Sequence, residues 1–171
     1  MAGLVPGLQP SSCTFGSIDS VAPYWAVIQS AAMNRRFTIL TLGARNLTSL
    51  RSFYRAWGWS ETPNSTAEWV AFEMGPTKVA LWPIERLHAE AAPERAILTA
   101  DVWNGVTLAV NVHSKDDVHA LCELAVIAGG QAVADPIERN WGGYSGYVAD
   151  PEGNRWEVAW APDVVFDDAP A

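Results

Sequence analysis

The sequence predicts an α+β fold of paired β-α-β-β-β modules forming a half-open barrel. Three observations predict it. Both halves of the chain run in the same order: strand, helix, glycine stop, short strand, strand, turn, strand, proline. Self-similarity on this scale marks a duplicated unit. The strand endings match by residue type, Lys78-Val79-Ala80-Leu81-Trp82-Pro83 against Glu157-Val158-Ala159-Trp160-Ala161-Pro162. Apolar residues make up 49% of the chain and charged residues 18%, a composition that folds. Two curved sheets brought together would leave a pocket at their mouth. A ferredoxin-like sandwich with a filled core is the alternative.

Residues 1–35 are rich in Gly, Pro, Ser and Ala and read as a flexible N-terminal arm. Residues 24–28 within it suit a short strand or packing anchor, and Met33 is a candidate start of translation. The domain proper is residues 36–162, with modules 36–83 and 104–162 and a connector at 84–103. Residues 36–42 form a strand of β-branched and aromatic residues. Asn46 caps a helix whose stripe is Leu47, Leu50, Phe53, Tyr54 and Trp57, and Gly58 stops it. Residues 59–62 form a short strand and Pro63 to Ser65 a turn. Strands follow at 68–74 and 77–82, separated by Gly75-Pro76 and closed by Pro83. Residues 84–91 carry a helical pattern, broken by Pro93.

The second module repeats this plan. Residues 106–112 form a strand. Ser114 caps a helix with Asp116 and Asp117 in its first turn, where the helix dipole favours them. Val118, Leu121, Cys122, Ala125 and Ala128 are its buried stripe, and Gly129-Gly130 ends it. A short strand at 131–134 precedes Asp135-Pro136. Trp141-Gly142-Gly143 is a loop, and strands at 144–149 and 154–160 flank the turn Asp150-Pro151-Glu152-Gly153. Residues 163–171 are an acidic tail.

The net charge of −8, with no basic cluster, argues against a nucleic-acid partner. Cys13 and Cys122 have no metal-ligand spacing and form no disulfide framework. Cys122 reads as an inert buried thiol. The N-terminus lacks the order of a signal peptide, and no apolar run reaches the roughly 20 residues of a membrane helix. A cytoplasmic location and no membrane partner are expected.

The text from Trp141 through Asp150-Pro151-Glu152-Gly153-Asn154 to Val158 resembles the C-terminal signature of glyoxalase-like proteins. Thr41-Leu42-Gly43-Ala44-Arg45-Asn46-Leu47, then Phe53-Tyr54 and Gly58-Trp59, is similar to the family's opening strand and helix. The resemblance is to the glyoxalase/bleomycin resistance/extradiol dioxygenase superfamily, also called the vicinal oxygen chelate superfamily. It implies metal-dependent lyases, isomerases or ring-cleaving dioxygenases, or metal-free drug binders. Family metal sites take one ligand from each of four strands. The matching positions here, to within one residue, are Ile39, Lys78, Thr107 and Glu157. Of these only Glu157 is a conventional ligand, so neither a metal nor another cofactor is expected. His88, His113 and His119 lack the spacing to replace the others and read as surface residues.

What remains is a candidate pair, Glu157 and Lys78, that the family geometry aims into one cavity in direct or water-bridged contact. It suits a structural clamp, a ligand-binding pair or acid/base chemistry. On the last strand, Arg155 and Ala159 share a face with Glu157, while Trp156, Val158 and Trp160 take the packed side. Trp103, Trp141, Tyr144 and Tyr147 are candidates for a stacking wall, or for ordinary packing. The expected function is binding of a small aromatic or planar molecule without a conventional divalent metal, by a homodimer. A lyase or isomerase of the same superfamily is the alternative. A partner-binding role for the N-terminal arm is a third.

Overall fold

Each half begins with a strand that feeds an amphipathic helix. In the computed structural model, which describes residues 37–99 and 102–164, the first half comprises β1 (Ile39–Ala44), α1 (Leu47–Ala56), β2 (Val70–Met74) and β3 (Thr77–Pro83). α2 (Ile84–Ala91) follows in the connector. The second half comprises β4 (Thr107–Asn111), α3 (Lys115–Ile127), β5 (Gln131–Glu138), β6 (Tyr144–Ala149) and β7 (Arg155–Trp160). The anchor at residues 24–28, Met33 and residues 165–171 lie outside the described residues. Among the described residues no helix is long and apolar enough to cross a membrane.

The duplication is visible in the sheets. One has the order β1-β3-β2 and the other β4-β7-β6-β5. In both, the first strand of the module runs parallel to the last. The short strand expected at 59–62 is reduced to one bridge, Glu61 to Phe72, at the place β5 holds in the other sheet. The two sheets are separate and do not close into one barrel.

Local chemistry sets most boundaries. The Asn46 side chain accepts from the Ser49 N–H at 3.0 Å and the Ser114 hydroxyl from the Asp117 N–H at 3.1 Å, so both helices start where a cap is available. Gly58 (φ 99°) and Gly129 (φ 101°) take the left-handed conformation that ends them. Several strand boundaries differ from the sequence pattern. β1 and β2 start later than expected, at Ile39 and Val70. β5 continues through Asp135-Pro136 to Glu138, beyond the expected end at Ala134. Pro136 is tolerated because β5 is an edge strand whose ladder shifts register between Ala134 and Ile137.

The core lies where the helices of the two halves meet. Leu50, Phe53 and Tyr54 of α1 and Trp57 at its C-terminal cap are each 1% exposed or less, and α3 contributes Val118 and Ala125. Trp57 Nε1 donates across the junction to the Leu121 carbonyl at 2.9 Å. Trp59 stacks on Tyr54 at 4.4 Å and meets Trp156 edge-on at 4.9 Å. Several of the nine tryptophans are thus spent on packing.

One polar knot sits inside this core. Asp150 is 1% exposed. It accepts from Tyr54 Oη (2.6 Å), Asn154 Nδ2 (2.7 Å) and the N–H groups of Glu152 (2.9 Å) and Asn154 (3.0 Å). Tyr54 Oη in turn accepts from Trp156 Nε1 at 3.1 Å. From the same turn, Glu152 accepts from the N–H groups of Arg45 (2.8 Å) and Asn46 (2.6 Å) at the start of α1. The β6–β7 turn of one module therefore locks the helix of the other.

Burial, and next the Asp150 carboxylate, push the Tyr54 phenol well above its ordinary pKa. Its contribution to stability is complete below about pH 10, the ordinary tyrosine value. Above that, the unfolded chain releases the proton and the folded chain keeps it. Folded stability then falls by up to about 1.4 kcal/mol per pH unit until the folded phenol titrates. Tyr54→Phe should cost about 1–3 kcal/mol at neutral pH, from the group left unpaired. It should also remove this alkaline slope. Urea denaturation of both proteins from about pH 8 to about pH 11 checks the two effects.

Candidate functional site

β7 separates core from site. Trp156 (2% exposed) and Val158 (0%) face the helices, so strand alternation turns Arg155, Glu157 and Ala159 to the opposite side. Cross-strand register puts Tyr147 beside Glu157 and Ser145 beside Ala159 on that same side. Tyr147 Oη donates to Glu157 Oε1 at 2.9 Å. Arg139 donates to the Ser145 hydroxyl and carbonyl, both at 2.9 Å, and its guanidinium lies 5.2 Å from the Tyr147 ring centroid. Burial, then the hydrogen bond to Glu157, raise the Tyr147 phenol, so it acts as a proton donor at neutral pH. The cluster can orient a polar group, and its carboxylate can accept a proton. The Ser145 hydroxyl accepts the Arg139 N–H, an arrangement that orients it and does not activate it as a nucleophile.

Lys78 takes a different partner from the one expected. It pairs with Glu73 at 3.4 Å, with both side chains at least 40% exposed. No direct contact with Glu157 forms. The ladder explains why. β1 and β4 each begin eight residues before their helix, 39 to 47 and 107 to 115, so Ile39 and Thr107 are equivalent. Ile39 registers with Lys78, and Thr107 with Arg155. Arg155 is therefore the mate of Lys78. Thr41 registers with Ala80, and Ala109 with Glu157, so Ala80 is the mate of Glu157. The closing prolines end the strands, but pairing with the first strand sets the register.

The donor set does not fit a divalent cation. Ile39, Lys78, Ala80 and Thr107 supply no strong ligand. Glu157 already accepts a phenol proton. Among the described residues no three His, Cys, Asp or Glu side chains gather at one place.

The four candidate aromatics do not form one wall. Tyr144 and Tyr147 are three residues apart on β6 and point to opposite faces. Tyr144 faces α3: its hydroxyl lies 2.7 Å from His119 Nε2 and donates to the Pro136 carbonyl at 3.0 Å. Trp141 is 53% exposed. Its ring lies over Gly143, where an added Cβ would land 1.6 Å from Cζ3. Trp103 belongs to a different feature, a cavity of about 520 Å³.

That cavity is bounded by α2 and the connector on one side, and on the other by the end of β1 and the starts of β4 and β7. α2 reaches β1 because residue 43 is glycine: a Cβ there would sit 2.9 Å from Ile84 Cγ1. Ile84, Leu87, Leu98, Val102, Trp103 and Leu108 form apolar wall. Arg45, His88, Glu152 and Arg155 supply the charged and titratable lining groups. Arg155 precedes Glu157 by two residues on one face, about 7 Å along the strand. The signal was present in the connector, where Ile84, Leu87, Ile97 and Leu98 are too apolar for a plain linker. A smaller recess of about 180 Å³ beside α3 includes Cys122. Burial pushes that thiol up to about 11, so it is protonated and unreactive at neutral pH.

The family model described as Glyoxalase/Bleomycin resistance protein/Dioxygenase superfamily matches residues 40–158. The chain is similar in structure to a glyoxalase-related enzyme from Fulvimarina pelagi, with TM-score 0.71 and 28% identity over 81% of this chain and 96% of that one. A glyoxalase/bleomycin resistance protein/dioxygenase family enzyme from Burkholderia phytofirmans PsJN gives TM-score 0.62 and 19% identity, over 72% and 97% of the two chains. A lactoylglutathione lyase from Agrobacterium tumefaciens gives TM-score 0.55 and 19% identity, over 74% and 94%. The last two share the fold alone. No curated protein matches the chain.

Because Lys78 and Glu157 have separate partners, Lys78→Met and Glu157→Gln should act independently. A double-mutant cycle in urea should give coupling below about 0.5 kcal/mol. Coupling above about 1 kcal/mol would restore the pair as a unit.

Proposed function

The chain belongs to the Glyoxalase/Bleomycin resistance protein/Dioxygenase superfamily, and we propose on that premise that it binds a small aromatic or planar molecule without a conventional divalent metal site. The cavity of about 520 Å³ carries this reading. Its size falls within the roughly 300–1,000 Å³ of small-molecule pockets, and it has their composition: apolar walls, one indole and few polar groups. Trp103 is the aromatic side of the cavity, and its Nε1 donates to the Val106 carbonyl at 2.9 Å, which holds the ring. Glu157, two residues beyond Arg155 on the same face of β7, and its partner Tyr147 on the neighbouring β6 lie outside the cavity lining and would act as an orienting pair at its edge.

One observation favours a second reading, a lyase or isomerase. A carboxylate within hydrogen-bond reach of a phenol is a geometry that acid–base chemistry can use. In either case the working form is a homodimer. Ile39, which is 48% exposed, is an apolar residue left uncovered on the first sheet. Light scattering at micromolar protein should give twice the chain mass, and a monomer there would overturn this.

Binding of 2-naphthoate and 2-naphthamide, read by tryptophan fluorescence on chelator-treated protein, tests the main reading. Trp103→Ala should weaken whichever probe binds by about tenfold, the scale of one aromatic contact. Unchanged affinity would remove the cavity from the site. Stoichiometric zinc, nickel, iron or manganese in the purified protein would overturn the metal-free reading and favour the lyase or isomerase.

A further inference from the structure

We propose that the cavity selects carboxylates: Arg155 holds the carboxylate of a planar organic acid while its ring lies between Trp103 and the apolar side chains of α2. This rests on the cavity being the binding site and goes on to name the class of molecule it takes.

The other charged and titratable groups that line the cavity all have partners. Glu152 is held by the N–H groups of Arg45 and Asn46 at the positive end of α1. Arg45 completes that neutralisation, with Nη1 3.8 Å from Glu152 and Nη2 donating to the Leu98 carbonyl. His88 Nε2 lies 2.6 Å from the Arg95 carbonyl. Asn154 spends its amide on Asp150. Arg155 is left. It is half-buried and lines the cavity, yet takes part in none of the ion pairs or side-chain hydrogen bonds among the described residues.

A guanidinium partly removed from water with no counter-ion carries an unrecovered desolvation cost. A planar carboxylate meets its fork with two parallel hydrogen bonds and returns that cost. Glu157, the next residue on this face, does not serve, because it is beyond ion-pair distance and accepts from Tyr147. A phosphate fits less well. It draws on several donors at once, whereas Arg45, His88 and Asn154 already have partners and Arg155 is the lining cation left to donate. The chain as a whole carries −8, so attraction for an anion is local to this arginine.

The full chain is titrated with matched acid and amide pairs, benzoate with benzamide and 2-naphthoate with 2-naphthamide, by calorimetry. The acids should bind at least about tenfold more tightly than the amides, the scale of a charge-assisted pair. Arg155→Gln should abolish that preference while leaving amide affinity in place, and Arg55→Gln, on the exposed side of α1, should leave it intact. Arg155→Lys keeps the charge and loses the fork, so a reduced preference supports the contact even where Arg155→Gln does not fold. An unchanged preference in either Arg155 variant overturns the assignment. Equal binding of acid and amide to the wild-type chain also overturns it, while the cavity stands as a neutral aromatic site. No binding of any probe overturns the cavity reading and the carboxylate inference together.

Discussion

The hydrogen bond from Tyr54 to Asp150 is the contact on which the rest of the molecule depends. It joins the helix of one module to the β6–β7 turn of the other, in a place where neither group can reach water. A buried carboxylate survives only if its lone pairs are matched. Asp150 is matched by its own turn and by Tyr54, so the turn and the helix must arrive together. Around this knot, Trp156, Trp57 and Trp59 exclude solvent and strengthen each polar contact within it.

The site inherits its precision from that junction. β7 is anchored on one face by Trp156, whose indole N–H ends on Tyr54. With that face held, alternation leaves Arg155 and Glu157 no choice of side. The strand thus presents a cation toward the cavity and a carboxylate toward Tyr147, about 7 Å apart. Glu152 adds a second constraint. By capping α1 it also holds Arg45, which reaches the Leu98 carbonyl and ties the connector over the cavity. Core packing and cavity wall are therefore parts of one structure.

The same arrangement explains what becomes of the four strand positions that the family resemblance matched to metal ligands. The strand positions are kept, but their side chains are isoleucine, lysine or alanine, threonine and one glutamate. The glutamate is engaged by a phenol and the lysine by a neighbouring glutamate. The proposed recognition site draws instead on organic groups, namely an indole, a guanidinium and a carboxylate–phenol pair.

By itself the sequence determined the duplicated module, the helix limits at Asn46, Gly58, Ser114 and Gly129, and the two faces of β7. These depend on periodicity and on residues whose conformational preferences are local. It also carried the family resemblance, because the Asp-Pro-Glu-Gly-Asn turn is continuous text. The mating of Lys78 and Glu157 was not legible, since register depends on pairing with a distant parallel strand and not on a closing proline. Tyr144 was the exception to this, as its three-residue spacing from Tyr147 already places it on the other face. The role of Asp150 and the cavity under α2 were decided by tertiary structure alone. Both are formed by groups tens of residues apart, brought together only when the two modules bury their helices against each other.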